Sequence, residues 1–546
     1  MTLAALPAEL IVLNADIRTM DATRPQAQAI AIAGGRITAL GSTAAMRALA
    51  GPLTHVIDAG GRLVLPGFQD AHVHLLDGGI SLVNDAPLWD VTTEAGLIGA
   101  MSRHAMGSDA ALVVGAGWQA GIFGDHNLTR DVLDRAVTDR PCIVLDSSFH
   151  NACLNSAACG LLGLSPGMAD PPNGHVVRDA AGRPTGMLHE DAIPWAEARL
   201  PGVSDAIRMA GLRAGQAHAN RHGITGIIDP KVVDYHARIY GRVAAAGALD
   251  LRVAGAASVT PSDDAAGAVA RLNGLRAAHP GPDFHINAAK FFFDGVLENR
   301  TAAMLSPYAD GAGGNAPVMF APIQIAEIFT ALDAARFQIH VHVIGDAAAR
   351  AALDGLEAAQ KTNGTWPALH QLAHLQVTDA ADLPRLQALG AMANIQPLWA
   401  RLDPVVPDDW LALVGVGRAP MVYAFRQMLD HGAAICLSSD WPVTTLNPFE
   451  IIGTAVTRQP PGGVTPAFFP AEGLTVAEAI HGYTVGAAQA CWRAGHTGRL
   501  KPGFSADLIV LDRDVTTCPA QAISETQVLL TLFKGRVVHR DHDFRG

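Results

Sequence analysis

Charge is scarce in this chain. Only 16% of its residues are Asp, Glu, Lys or Arg, and they leave a formal net charge of −12. There is no basic stripe and no long like-charge block, and an acidic balance of this kind disfavours nucleic acid and anionic membranes as partners. Cysteine is scarce too. The six residues (Cys142, Cys153, Cys159, Cys436, Cys491 and Cys518) form no CxxC pair and are too few to staple 546 residues. That fits a reducing compartment with the thiols buried in cores. No apolar run reaches the roughly 18–20 residues of a membrane helix. The N-terminal stretch "MTLAALPAELIVLNADIRTM" has neither a basic n-region nor a sustained apolar h-region. Repeats of 20–50 residues and low-complexity tracts are also missing, which excludes solenoids and propellers. A soluble, cytoplasmic, globular protein is expected.

Apolar material is plentiful. Hydrophobic residues make up 49% of the chain, enough for large buried sheets, and the length suggests two or three domains. Both ends read as short strands and turns: "ELIVLNADIRTM" and "HVIDAGGRLVLPG" at one, "ADLIVLDRD" and "VLLTLFKGRVVHR" at the other. The middle alternates apolar runs with Ala-rich helical stretches. Eight runs qualify as strands, beginning with "LPGFQDAHVH" and continuing at 223–229, 251–259, 286–295, 337–346, 370–376, 391–397 and 433–442. This alternation predicts an α/β fold of the (β/α)₈ barrel type. The expected organisation is a small β-sandwich domain from 1–65 plus 497–546 and a barrel over 66–496. The barrel segment holds about 430 residues, against roughly 250 for a plain barrel. The excess is expected as an inserted subdomain at about 76–222, after the first strand.

Polar residues recur where these strands end: His72 and His74, Lys290, His342, His374 and Asp440. In an extended chain, residues two apart share a face, so His72 and His74 point together. A bare HxH pair is weak, and the chain has a second one in His340 and His342. Position strengthens it, because strand ends of a barrel face the catalytic mouth and an unpaired polar group in an apolar run is costly. Imidazole and carboxylate suit a divalent metal, zinc above all. Lysine fits such a site if it reacts with CO₂ to give an anionic carbamate; the alternative is a cation neutralising a carboxylate such as Asp294.

The motifs "PGFQDAHVHL" (66–75), "DSSFHNACLNSAA" (146–158), "NGHVVRDAAGRPTGMLHEDA" (173–192), "KFFFDGVLENRTAAMLSPY" (290–308), "HVIGDAAAR" (342–350), "AHLQ" (373–376), "SSDWPV" (438–443) and "GRLKPGFSADLIVLD" (498–512) occur in this order. With them the chain resembles the amidohydrolase superfamily of metal-dependent hydrolases, and most of all its N-substituted formamide deformylase branch, over nearly its whole length. The resemblance implies that His72, His74 and Asp440 hold one metal and that His342 and His374 hold a second or complete the first. It implies N6-carboxylysine at Lys290 as the bridge, with one or two Zn²⁺ per chain. His340 is the weaker candidate of its pair and equally suits the core. The implied reaction is hydrolysis of a C–N bond in a small amide by metal-activated water, with Asp440 as general acid/base.

Trp118, Phe123, His126, Phe149 and His150 in the insertion are candidates to shape a substrate pocket, as are Arg300, Trp399, Arg401 and Trp441. Arg401 has Asp403 as an alternative partner. His218 and His222 have the i, i+4 spacing of a helical zinc pair but lack the glutamate of HExxH, and are expected to be structural. Rival functions on the same metal site are a deaminase and an ester or lactone hydrolase. The related deaminases carry a glutamate three residues after the strand-five histidine, where this chain has Gly345. A scaffold that lost its site is the non-enzymatic alternative. A small-molecule amide substrate and a homodimer complete the expectations.

Overall fold

Short runs of Val, Ile, Phe and Ala, flanked by Gly, Pro and Asp, form eight parallel strands in the middle of the chain. A computed structural model describes residues 8–123, 127–311, 314–402 and 410–546. In it the eight strands are Phe68–Asp70, Ile224–Val232, Arg252–Ser258, Phe284–Phe292, Gln338–Val343, Gln371–His374, Met392–Ile395 and Ala434–Leu437. They stand in sheet order as in chain order, every ladder parallel. The curl is closed between first and last by backbone bonds: Ala71 N–H donates to Leu437 O (3.3 Å) and Asp440 N–H to His72 O (2.9 Å). Strands such as Gln338–Val343 and Met392–Ile395 are buried along their whole length, as expected of a sheet covered on both faces. The expected barrel is present, and each of the eight runs read from the sequence overlaps one of its strands.

Both chain ends contribute to one six-stranded sheet, in which Leu63–Pro66 lies between Leu508–Leu511 and Asp16–Arg18. A four-stranded sheet of N-terminal strands packs on it. Leu10, Val12, Ile30 and Ile32 from one sheet meet Ile17, Val64, Leu508 and Val510 from the other in a single apolar cluster. Between the first and second barrel strands, a separate six-stranded mixed sheet runs from Ala86–Pro87 to Pro184–Glu190, with an apolar cluster of its own on each face.

Two helices flank that insert, Leu75–Asn84 and Asp205–Arg221, and they pack on the barrel core through Leu75, Leu76, Leu212 and Ala219. They cross in direct backbone contact. A Cβ on Gly79 would lie 2.2 Å from Gly211 O, and one on Gly211 2.7 Å from Ile80 N. Glycine is therefore required at the crossing for lack of space. Among the described residues, no helix is long and apolar enough to cross a membrane.

Candidate metal centre

The end of the first strand is laced to the end of the eighth. Asp70 is fully buried, and its carboxylate accepts the backbone N–H groups of His72 (3.1 Å) and Ser439 (3.1 and 3.2 Å). His74 N–H donates to Trp441 O at 2.9 Å. The strand ends at Asp70, so the histidine pair stands on the turn into the helix Leu75–Asn84 rather than in extended chain. The side chains still alternate: Val73 is buried in the barrel core while both imidazoles face Asp440. Asp440 has φ 56° and His374 φ 81°, left-handed conformations that cost non-glycine residues and gather at functional sites.

His72 Nε2 lies 3.5 Å and His74 Nε2 3.3 Å from Asp440 Oδ1. These are about the separations between neighbouring ligands of a tetrahedral ion bound at roughly 2.0–2.2 Å. Asp440 Oδ1 is buried and, among the described residues, has no hydrogen-bond partner. A carboxylate oxygen left in that state is costly, and a divalent cation among the three atoms removes the cost. Lys290 Nζ reaches His72 Nε2 at 3.5 Å and stands 4.6 Å over the ring of Phe292. The remaining histidines form a row, with ring centroids 4.9 Å apart for His72 and His374 and 4.5 Å for His374 and His342. All six side chains expected at the strand ends thus converge.

Neighbouring groups fix which nitrogen each ring presents. Gln396 Nε2 donates to Ser438 Oγ (2.7 Å) and Asn394 Oδ1 (3.2 Å), so its Oε1 accepts His374 Nδ1–H at 2.9 Å and leaves Nε2 free. His342 Nε2–H donates to Gly295 O at 3.1 Å and leaves Nδ1 free. His72 Nδ1 pairs with His340 Nε2 at 2.9 Å, which leaves His72 Nε2 toward Asp440. Partners of this kind orient metal-binding imidazoles and set their tautomers. Burial, reinforced by neighbouring cations including Lys290, holds His72, His342 and His374 well below the ordinary imidazole range. That direction favours the neutral form that metal binding demands. Burial also pushes Lys290 down to about 7, against the pull of Asp440. Asp294, the alternative partner for Lys290, instead accepts the N–H groups of Ala303, Ile344 and Gly345 (2.8–3.0 Å); burial raises it to about 7.

The outer candidates separate by place. Trp399 stacks on His374 at 5.2 Å and 11°. The ring of His150 stands 5.7 Å from that of His342, and its Nδ1 pairs with Glu190 at 2.7 Å. Trp118 is buried in the insert's own core against Phe123, away from the histidine row. Arg300 pairs with Asp310 and covers Tyr308, which occupies its guanidinium structurally. Trp441 turns its ring to Gly78 and His218, behind the metal centre. His218 and His222 pack edge to face at 4.9 Å near the end of their helix, as a structural pair does. Phe149 packs against Trp89. His126 and Asp403 lie outside the described residues. Sequence reasoning passed over Asp70, Glu190 and Gln396. Asp70 and Glu190 lie inside motifs already quoted, and Gln396 lies in the apolar run at 391–397.

The model of the amidohydrolase family matches residues 55–539. N-substituted formamide deformylase of Arthrobacter pascens is 28% identical over 96% of this chain and 97% of its own. Protein LONG AFTER FAR-RED 3 of Arabidopsis thaliana is 26% identical over 93% of this chain and 88% of its own. Among solved structures, an uncharacterized metal-dependent hydrolase from Pyrococcus horikoshii superposes with a TM-score of 0.76 at 24% identity, covering 94% of this chain and 99% of that one. The chain belongs to the amidohydrolase family, and the class expected from its motifs, a hydrolase acting on carbon–nitrogen bonds, stands.

Proposed function

We propose that this protein hydrolyses the C–N bond of a small N-substituted formamide or similar amide at a divalent metal centre, zinc being the metal its donors suit best. The observation that carries the reading is Asp440 Oδ1, buried, unpartnered and 3.3–3.5 Å from two imidazole nitrogens. His72, His74 and Asp440 would hold the ion, with His342 and His374 completing the site or holding a second. When bound, such a cation supplies Lewis-acid polarisation of a carbonyl and acidifies water. Asp440 keeps free acceptor capacity beside the reacting centre. It takes the proton of the attacking water and passes it to the leaving nitrogen, without which an amide does not expel its amine. Help of this kind contributes about 10²–10⁴-fold.

Lys290 fits the role of carboxylated bridge. Its depressed pKa supplies the neutral amine that adds to CO₂, an N–C bond forming as one nitrogen proton leaves to water. The deaminase alternative is disfavoured at Gly345, where even a Cβ would lie 2.0 Å from Ala303 O, so no glutamate fits there. Elemental analysis of protein purified without chelator, with bicarbonate present, tests the reading together with assays on N-substituted formamides, amino-heterocycles and esters. The expected result is one or two zinc ions per chain, lost in His72→Ala, and turnover of the formamide. A chain that binds no zinc, or one that deaminates a heterocycle and spares the amide, overturns it.

A further inference from the structure

The insert does more than roof the barrel: it carries a fixed imidazole to the end of the histidine row. His150 follows the strand Cys142–Asp146 and Glu190 ends the strand Pro184–Glu190, both in the insert's sheet. The Glu190 carboxylate accepts His150 Nδ1–H at 2.7 Å. It also accepts Thr301 Oγ1–H at 2.6 Å and an amide N–H of Asn299 at 3.4 Å, both from the loop after the barrel strand that bears Lys290. Gly295 makes this approach possible, since a Cβ there would lie 2.5 Å from Glu190 Oε1 and 2.2 Å from Thr301 Oγ1. The same Gly295 offers its carbonyl to His342. Glu190 therefore locks the insert to the barrel beside His342 and pins the His150 ring in one orientation.

With Nδ1 committed to Glu190, Nε2 is the ring atom left to His150, and among the described residues it has no hydrogen-bond partner. The side chain is 18% exposed. Along the row His74, His72, His374, His342, His150, Asp440 touches the first three rings, and His150 stands at the far end, beyond His342. An amide whose attacking water sits by Asp440 turns its carbonyl oxygen away from that carboxylate.

We propose that His150 is a catalytic donor, its Nε2–H hydrogen-bonding the carbonyl oxygen of the scissile amide, and that Glu190 is its positioning residue. This rests on the reading of the centre as an amide hydrolase. As the water oxygen bonds to the carbonyl carbon, the C=O π pair moves onto the oxygen that faces His150. The Nε2–H bond stays intact and stabilises that charge. On collapse the pair re-forms C=O, the C–N bond breaks, and the nitrogen leaves with the proton carried by Asp440. Removing a donor of this kind lowers kcat by about 10²–10³-fold.

His150→Phe, which keeps a ring without a donor, is compared with His150→Gln, which restores one. Steady-state kinetics on the amide are read together with zinc content and melting temperature. The expected result for His150→Phe is a kcat lower by about 10²–10³-fold, with KM little changed and zinc content at the wild-type level. His150→Gln should recover part of kcat. A His150→Phe enzyme with wild-type kcat, or one that loses its zinc, overturns the proposal. The same pair is measured on an activated ester, whose carbonyl develops the same oxyanion. A wild type that cleaves the ester and spares the amide sinks the amide reading while the His150 comparison still decides this one. A wild type inert toward both removes the two together.

Discussion

Two of the ligand candidates, His72 and His374, are each held by a second side chain, and His340 shows what that costs. It is fully buried, and among the described residues its Nδ1 has no hydrogen-bond partner. A buried orphan donor is tolerated here because the other nitrogen, Nε2, accepts His72 Nδ1–H and so leaves His72 Nε2 bare for a cation. His340→Leu should then weaken zinc binding about 10–100-fold, measured by calorimetric titration of the metal-free protein. His340→Gln, whose carbonyl can accept the same proton, should retain most of the affinity. Equal losses in the two variants would mean that His340 fills space and does not set the tautomer of His72. The role of His340 was not readable from its spacing, because both members of an HxH pair share a face and spacing cannot tell a ligand from the residue that orients one. The convergence of His72, His74, Lys290, His342, His374 and Asp440 was readable, because each interrupts an apolar run at a strand end. Trp118, Arg300 and Trp441 had no such signal beyond neighbourhood, and the core, Asp310 and the helix pair respectively claim them.

Elements were legible where the pattern is local. Eight apolar runs bounded by turns gave eight strands, since strands buried on both faces read as continuous apolar segments. The insert's mixed sheet was not legible, because its pairings switch from parallel to antiparallel and one of them, Asn151–Leu154 beside Pro184–Glu190, skips a strand, choices that nothing local specifies. The helix Asp205–Arg221 is intermediate: its i, i+4 histidines were readable as structural, and their energetic role follows from packing. Burial pushes His218 down to about 4 and His222 to about 3. Both folded values lie below the unfolded value of about 6.5. As pH falls past that point the unfolded chain binds protons that the folded chain refuses, so this helix contributes stability at neutral pH that is lost between about pH 6.5 and 3. The double variant His218→Gln with His222→Gln should flatten that fall. Urea midpoints at pH 7.5 and 5 decide it: an unchanged pH slope would assign the acid sensitivity to other groups.

The whole molecule separates chemistry from support along the barrel axis. Lys290, His342, His374 and Asp440 come from the C-terminal ends of strands, while the two-sheet domain built from both chain ends holds the opposite, N-terminal ends. There Arg252, the first residue of its barrel strand, pairs with Asp507 of the small domain and donates to Ser505 Oγ at 2.6 Å. Lys534 reaches Asp283, just before the next strand, at 2.5 Å. The Arg252 and Asp507 side chains are 9% and 6% exposed, so removing one partner strands a buried charge rather than a solvated one. Asp507→Asn should therefore destabilise the chain by about 3–5 kcal/mol, read as a lower urea midpoint. Adding Arg252→Met should recover part of the loss, because it removes the orphaned cation as well. Turnover by metal-loaded Asp507→Asn should stay at the wild-type level, since the pair lies at the far end of the strands from the metal centre. A fall in zinc content or kcat without a fall in stability would mean that the two ends of the barrel are mechanically coupled, with the small domain acting on the site and not only beneath it.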